Sequence, residues 1–334
     1  MPGRRRIVHF LLRSSREEDE SCCTLLARTS INVEVTLRRT SRISVRRGDT
    51  IMPLYPSGAV GNATESPGSK LVGEMYRLYT LEVPEHEHAE FCFHLQTSGS
   101  PELEWWCNGR NRVEAPAPGA LMLLPPGTRD RLRWAGASQR YVISLEANFV
   151  DEVADTIKPG LAPSFQTHWN FRDEPLRELL AEVGREAVDG WPLGALYADL
   201  LGLSLSTLLL RRYATSPAKL PFVRGGLPMQ SIKTTLEFIT DNLHQDLHLA
   251  EIASVVRLSP FHFARLFKAA TGQSPYRYLL DQRLRSAKDY LRSGDLPIAE
   301  IAAQVGFPNH AHFSRAFRKR EGISPTAWRE TQQL

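Results

Sequence analysis

Over roughly its last hundred residues the chain writes one pattern twice. Ala250, Glu251, Ile252, Ala253 and Val256 recur 49 positions on as Ala299, Glu300, Ile301, Ala302 and Val305. One extra residue in the second copy moves the offset to 50, after which His262, Phe263, Arg265, Phe267, Gly272, Ser274 and Pro275 recur as His312, Phe313, Arg315, Phe317, Gly322, Ser324 and Pro325. A match of this length is an internal repeat, so both copies must fold into the same unit.

The spacing within a copy specifies that unit. Leu249, Ile252, Ala253 and Val256 fall at i, i+3, i+4 and i+7, the buried stripe of a short helix. A turn follows at Leu258 and Ser259, where the Ser259 hydroxyl can cap and Pro260 suits the first helical position. A second stripe runs through Phe263, Leu266, Phe267 and Ala270, and Gly272 stops the helix. Two short helices with a tight turn make a helix-turn-helix, whose second helix enters the major groove of DNA and sets its early exposed side chains against base edges. With the stripe inward, Phe261, Ala264, Arg265 and Lys268 are left on the outer face of the first copy. The outward set of the second is His310, Ala311, Ser314, Arg315 and Arg318.

Between the copies one helical stretch is expected from Pro275 to Arg292, with Tyr278, Leu279, Leu284, Ala287 and Leu291 as its buried positions. Eighteen residues at a 1.5 Å rise span about 27 Å, against about 34 Å between successive major grooves on one face of B-DNA. A rigid spacer of that length can hold both reading helices in neighbouring grooves.

The segment from about Gln230 to Arg329 resembles the DNA-binding domain of the AraC/XylS family of bacterial transcriptional regulators. IAEIAAQVGF (Ile298 to Phe307) and HFSRAFRKREGISPTAW (His312 to Trp328) carry the likeness. The resemblance implies that Phe261, Ala264 and Arg265, with His310, Ala311 and Arg315, contact bases. Lys268, Arg318 and Lys319 are expected at phosphates, which position a protein without specifying sequence. Glu251 and Glu300 are expected to brace their units, and His262 and His312 to be partly packed or capping. No His, Cys or carboxylate spacing in this domain suggests catalysis or a metal.

Charge adds little. The chain is only +4, and from Met229 onward Lys and Arg outnumber Asp and Glu by 14 to 10. That bias attracts phosphate but disfavours a sequence-blind architectural binder. Residues 1–30 are polar and uneven, and are expected to be a disordered extension. The six-residue apolar run in MPGRRRIVHFLLRSS is short for a secretory signal, and no run approaches a membrane span. Cys22, Cys23, Cys92 and Cys107 form no disulfide framework, which fits a reducing cytoplasm.

From Val33 to Leu145 short alternating segments broken by Gly and Pro read as successive antiparallel strands of a small barrel or sandwich, placed in residues 31–150. PEHEHAEF followed by PGALMLLPPGTRDRLRW (Pro118 to Trp134) resembles the cupin-like sensing domain common at the N-terminus of the same family. In metal-using cupins two histidines and a glutamate of the first motif join a histidine of the second. His86, His88 and Glu90 imitate the first group, but Arg129 stands where the second histidine would follow the turn, so no metal or other cofactor is expected. Phe91, Phe93, Trp105, Tyr141, Arg129 and Arg131 are candidates to line a site for a small organic effector.

Residues 151–214 read as helical, with Glu174 to Val188 and Leu193 to Tyr213 apolar at three- and four-residue spacings. Leu193, Leu196, Leu200, Leu203 and Leu210 lie along one side of the second. The resemblance implies that these helices pack on the barrel and pair across a homodimer. The unpatterned stretch 215–228 reads as a linker, and residues 229–334 as the DNA-binding domain. The expected protein is α+β, with no enzymatic activity. It is expected to be a ligand-responsive transcription regulator, an activator in contact with RNA polymerase on double-stranded DNA. A cupin-type enzyme fused to a DNA reader is the competing class, and the broken metal set disfavours it.

Overall fold

The computed structural model describes residues 41–55, 60–68, 70–215, 227–294 and 296–332. The expected extension over 1–30, the strand expected near Val33 and most of the expected linker lie outside the described residues.

Two long antiparallel strands, β4 (Leu71–His88) and β9 (Arg129–Leu145), pair along nearly their whole length and form the spine of one sheet. The sequence pattern alone ends the first at Val83 and splits the second into Arg129–Gly136 and Arg140–Glu146. Their partners divide the spine. β5 (Phe91–Ser98) takes the C-terminal half of β9, and β6 (Glu102–Cys107) takes the N-terminal half. β1 (Ser44–Arg47) and β3 (Val60–Glu65) take the two ends of β4. β2 (Thr50–Pro53), β7 (Arg110–Glu114), β8 (Leu121–Leu124) and a strand missed by the sequence reading, β10 (His168–Phe171), complete the sheet. Register shifts at Leu78/Thr80 and Val83/His86 bend the spine, as inserted residues do.

Side-chain alternation then sorts two cores. Phe91, Phe93 and Leu95, with Leu121, Leu123, Ile143 and Leu145, point to the helices. Cys92, Met122, Leu124 and Val142 point the other way, into a second core with Tyr55, Tyr76, Trp105, Leu132 and Trp134.

The helical layer is α1 (Ala147–Ile157), α2 (Glu174–Val188) and α3 (Gly194–Arg212). Asp173 caps α2, its carboxylate accepting from the Leu176 amide. Gly184 lets α2 lie directly on the sheet, because a Cβ there would stand 2.4 Å from the Tyr141 ring. α3 bears on two expectations. Leu196, Leu203 and Leu210 of the expected pairing face are buried in the subunit's own core, and Leu193 and Leu200 are half-buried. By length and composition α3 could also cross a membrane, yet most of it is buried here, as befits a core helix.

The C-terminal part is helical throughout. α4 (Met229–Asp241) precedes the first two-helix unit, α5 (Leu249–Ser254) and α6 (Pro260–Thr271). α7 (Pro275–Ser293) is the spacer, and α8 (Ile298–Gln304) with α9 (His310–Glu321) is the second unit, closed by α10 (Pro325–Gln332). Ser259, Ser274 and Asn309 cap α6, α7 and α9, and Gly272, Gly294 and Gly322 end them in the left-handed conformation. Leu279, Leu284, Ala287 and Leu291 of α7 are buried as expected, while Tyr278 is half-buried. The second unit has its own core, in which Leu284, Ala287 and Leu291 meet Ile301, Ala302, Phe313 and Phe317. The first unit instead shares its core with α3.

Candidate nucleic-acid interface

The repeat places α6 before α7 and α9 after it, and the outward residues of the two helices differ in what surrounds them. Phe261, expected on the outer face, is buried in the core that the first unit shares with the helical layer, from which α1 packs on α6. Ala264 and Arg265 are half-buried and Lys268 is exposed. The Arg265 guanidinium lies 5.1 Å from the centre of the Phe261 ring, with Nη1 inaccessible to solvent. A cavity of about 740 Å³ separates the two helices, with Leu200, Leu208 and Arg211 on the α3 side and Phe261, Arg265 and Lys268 on the α6 side.

On α9 the same side is more open. His310, Ala311, Arg315, Arg318 and Lys319 are exposed and Ser314 is half-buried. His312 is buried, and burial, then Arg315, holds its pKa below the usual value. His262, its repeat partner, is exposed. Opposite α9 stands an acidic edge formed by Glu182, Glu186 and Asp189. Arg315 Nη1 is 3.6 Å from Asp189 Oδ2. Glu186 is pushed up to about 7, by burial first, although the Leu193 amide donates to it at 3.3 Å and Arg315 lies nearby. Glu182 accepts from the Tyr197 hydroxyl at 2.8 Å and feels the charge of Lys319. Glu251 braces its unit as expected, accepting from the His248 amide at 2.7 Å. Arg283, which the sequence reading missed, is buried and donates from Nε to the Leu243 carbonyl at 2.8 Å and from Nη2 to the Gln245 carbonyl at 2.6 Å, tying α7 to the turn after α4.

The sheet redistributes the expected effector residues. Phe91 and Phe93 face the helices, and Tyr141 lies under Gly184 of α2. Arg129 and Arg131 are on the outer face, donating to Glu87 at 2.7 Å and to Glu82. Of the six, Trp105 alone belongs to the inner core, stacked on Trp169 at 4.5 Å. The inner face carries polar groups that the sequence reading missed. Arg140 is buried with its guanidinium 3.2 Å from the centre of the Trp134 ring, and its Nε and Nη1 have no hydrogen-bond partner. Among the described residues only Ser138 accepts from it, at 2.8 Å, and burial brings its pKa down to about 10. Tyr55 Oη, Trp134 Nε1 and His94 Nδ1 are likewise buried without partners. Alternation along Arg140, Val142 and Ser144 was the available signal.

His86 and His88 share one face of β4 and meet Asp130 of β9, while Glu90 stands apart, accepting from the Ala147 amide at 2.5 Å.

Residues 252–331 match a family model described as a helix-turn-helix domain. The chain is 37% identical over 108 residues to the regulatory protein PocR of Salmonella typhimurium, covering 32% of this chain and 36% of that protein. It is 33% identical over 168 residues to the arabinose operon regulatory protein of the same organism, covering 49% of this chain and 58% of that protein. The chain therefore spans between about a third and three fifths of the length of these curated relatives. Among solved structures, the DNA-binding domain of AdpA in complex with a target DNA is 27% identical, covering 30% of this chain and 91% of that one, with a TM-score of 0.29.

Proposed function

From a chain that carries an AraC-type helix-turn-helix domain at its C-terminus, we infer a sequence-specific DNA-binding transcription regulator controlled by a small molecule. One observation carries the reading: two capped helices with equivalent arginines, Arg265 and Arg315, stand at the two ends of one 19-residue helix. That arrangement suits two neighbouring major grooves. Base reading falls to Phe261, Ala264, Arg265, His310, Ala311, Ser314 and Arg315, and phosphate contact to Lys268, Arg318 and Lys319.

Phe261 is buried against the helical layer and Arg315 pairs with Asp189 of α2, so we take the described arrangement as a docked one. DNA reading requires the C-terminal domain to move off the helical layer. A ligand can drive that release only by the difference in its affinity for the two arrangements, and a small effector of the N-terminal domain is the natural agent. The cupin-like sheet supports this role, because Arg140, Tyr55, Trp134 and His94 offer buried polar atoms there without partners among the described residues. A buried guanidinium with no carboxylate against it favours an anionic effector. Self-association through α3 is not part of this reading, since its leucines are spent within the subunit.

Selection from a random duplex library with the full chain tests it. The reading expects enrichment of a bipartite motif with two half-sites about 10 base pairs apart. Retention of unselected duplexes with no motif would overturn it.

A further inference from the structure

We propose that His86, His88 and Asp130 form a binding site for a divalent first-row transition-metal ion.

The three residues come from the spine of the sheet, where His86 is the register partner of Asp130 and His88 lies two residues on, on the same face. The turn that follows β8 fixes the other side. The Gly127 amide donates to the His88 carbonyl at 2.8 Å, and the His88 amide donates to the Thr128 carbonyl at 3.0 Å. This clamps the start of β9, so that Arg129 points outward and Asp130 inward. The sequence reading placed Arg129 in the missing ligand's position and therefore expected no metal; the residue turned into the site is its neighbour.

All three side chains are buried, and their ligand atoms lie within 4.8 Å of one another. Asp130 Oδ1 is 3.1 Å from His88 Nε2 and 3.4 Å from His86 Nε2. Two ligand atoms on a tetrahedral ion with bonds of about 2.0–2.1 Å stand about 3.3–3.4 Å apart, so both separations suit a shared ion. The histidine tautomer points the same way. His86 Nδ1 is 2.9 Å from the Pro84 carbonyl, which can only accept, so Nδ1 carries the proton and Nε2 presents a lone pair. That lone pair faces a carboxylate oxygen and has no hydrogen-bond partner among the described residues, and neither has Asp130 Oδ2. Two acceptors brought together out of water are unfavourable unless a cation lies between them.

Two imidazoles and one carboxylate suit a borderline ion such as Zn²⁺, Fe²⁺ or Co²⁺ rather than Mg²⁺ or Ca²⁺, which prefer oxygen. Three protein ligands leave a further coordination position. His86 also borders a cleft of about 330 Å³ between Arg47 and Arg129.

The test uses the full chain, stripped with a chelator and titrated with Co²⁺ alone, then with Zn²⁺ as competitor. One Co²⁺ per chain is expected, with visible d–d bands, no thiolate charge-transfer band and displacement by Zn²⁺. Asp130→Asn and His88→Ala should each weaken Co²⁺ binding on the order of 100-fold, while melting cooperatively without metal. Should either variant fail to fold, His86→Gln and the wild-type spectrum decide the matter. No stoichiometric Co²⁺ uptake, a thiolate band placing the ion on Cys92 or Cys107, or undiminished uptake by the ligand variants would each overturn the assignment. The readout is the ion itself, so it stands apart from whether the chain reads DNA.

Discussion

Arg315 on α9 and Asp189 at the end of α2 face each other with Nη1 and Oδ2 3.6 Å apart, joining the second reading helix to the helical layer. The arginine expected to read a base is thus paired with a carboxylate of its own chain, beside Glu182 and Glu186.

Removing that carboxylate should favour release of the reading helix. Both partners are about half exposed or more, so the pair is worth roughly 0–1 kcal/mol. Asp189→Asn should therefore tighten specific DNA binding by at most about 5-fold, read by fluorescence anisotropy at fixed salt. Weaker binding would show that Asp189 does not compete with DNA.

The reading arginines and the phosphate contacts separate by their response to sequence. Arg265→Ala and Arg315→Ala should each cost about 1–3 kcal/mol at a selected site and relax base preference locally. Lys319→Ala should weaken all sequences alike and reduce the salt slope by about 1. Equal losses on selected and random DNA for the arginine variants would mean the reading faces are misassigned.

The two-helix units were legible because their periodicity, caps and glycine stops are local. Ser259, Gly272 and Gly322 do in the structure what their positions implied. What α6 faces was not local. Phe261 reads as an outward residue of an isolated unit and is buried because helices far earlier in the chain share its core. The leucines of α3 pose the same difficulty, since a wide apolar stripe does not say whether its second partner is another subunit or the subunit's own next domain. In the sheet, one step of register decided everything: Arg129 outward, Asp130 inward, and Arg140 rather than Arg131 in the interior.

The Phe317 ring fills the centre of the second unit, 5.5 Å from Phe313 and 6.0 Å from Trp328. Phe317→Ala should destabilise that unit by roughly 3–5 kcal/mol, through a cavity. Urea unfolding followed by Trp328 fluorescence checks this, and an unchanged midpoint would contradict the packing.

Arg140→Met tests the buried guanidinium on the inner face of the sheet. Removing a buried charge with one hydrogen-bond acceptor should be neutral or stabilising in the ligand-free protein, despite loss of its stacking on Trp134. A Tm several degrees lower would show that Arg140 is structural instead.

Glu186 ties stability to pH. Its folded pKa of about 7 lies above the ordinary carboxylate value, with burial as the main cause. Between those two values the folded state holds a proton that the unfolded state has lost, so this contribution is full at low pH and fades as pH rises through 7. The wild-type Tm should fall between about pH 5 and 8 more steeply than that of Glu186→Gln. Parallel profiles would contradict the assignment.

Hydroxyl-radical footprinting of the full chain on a selected site tests the tandem reading most directly. Two protected blocks on one face of the duplex, centred about 10–10.5 base pairs apart, are predicted, with Arg265→Ala erasing one and Arg315→Ala the other. A single short block lost equally in both variants would contradict it.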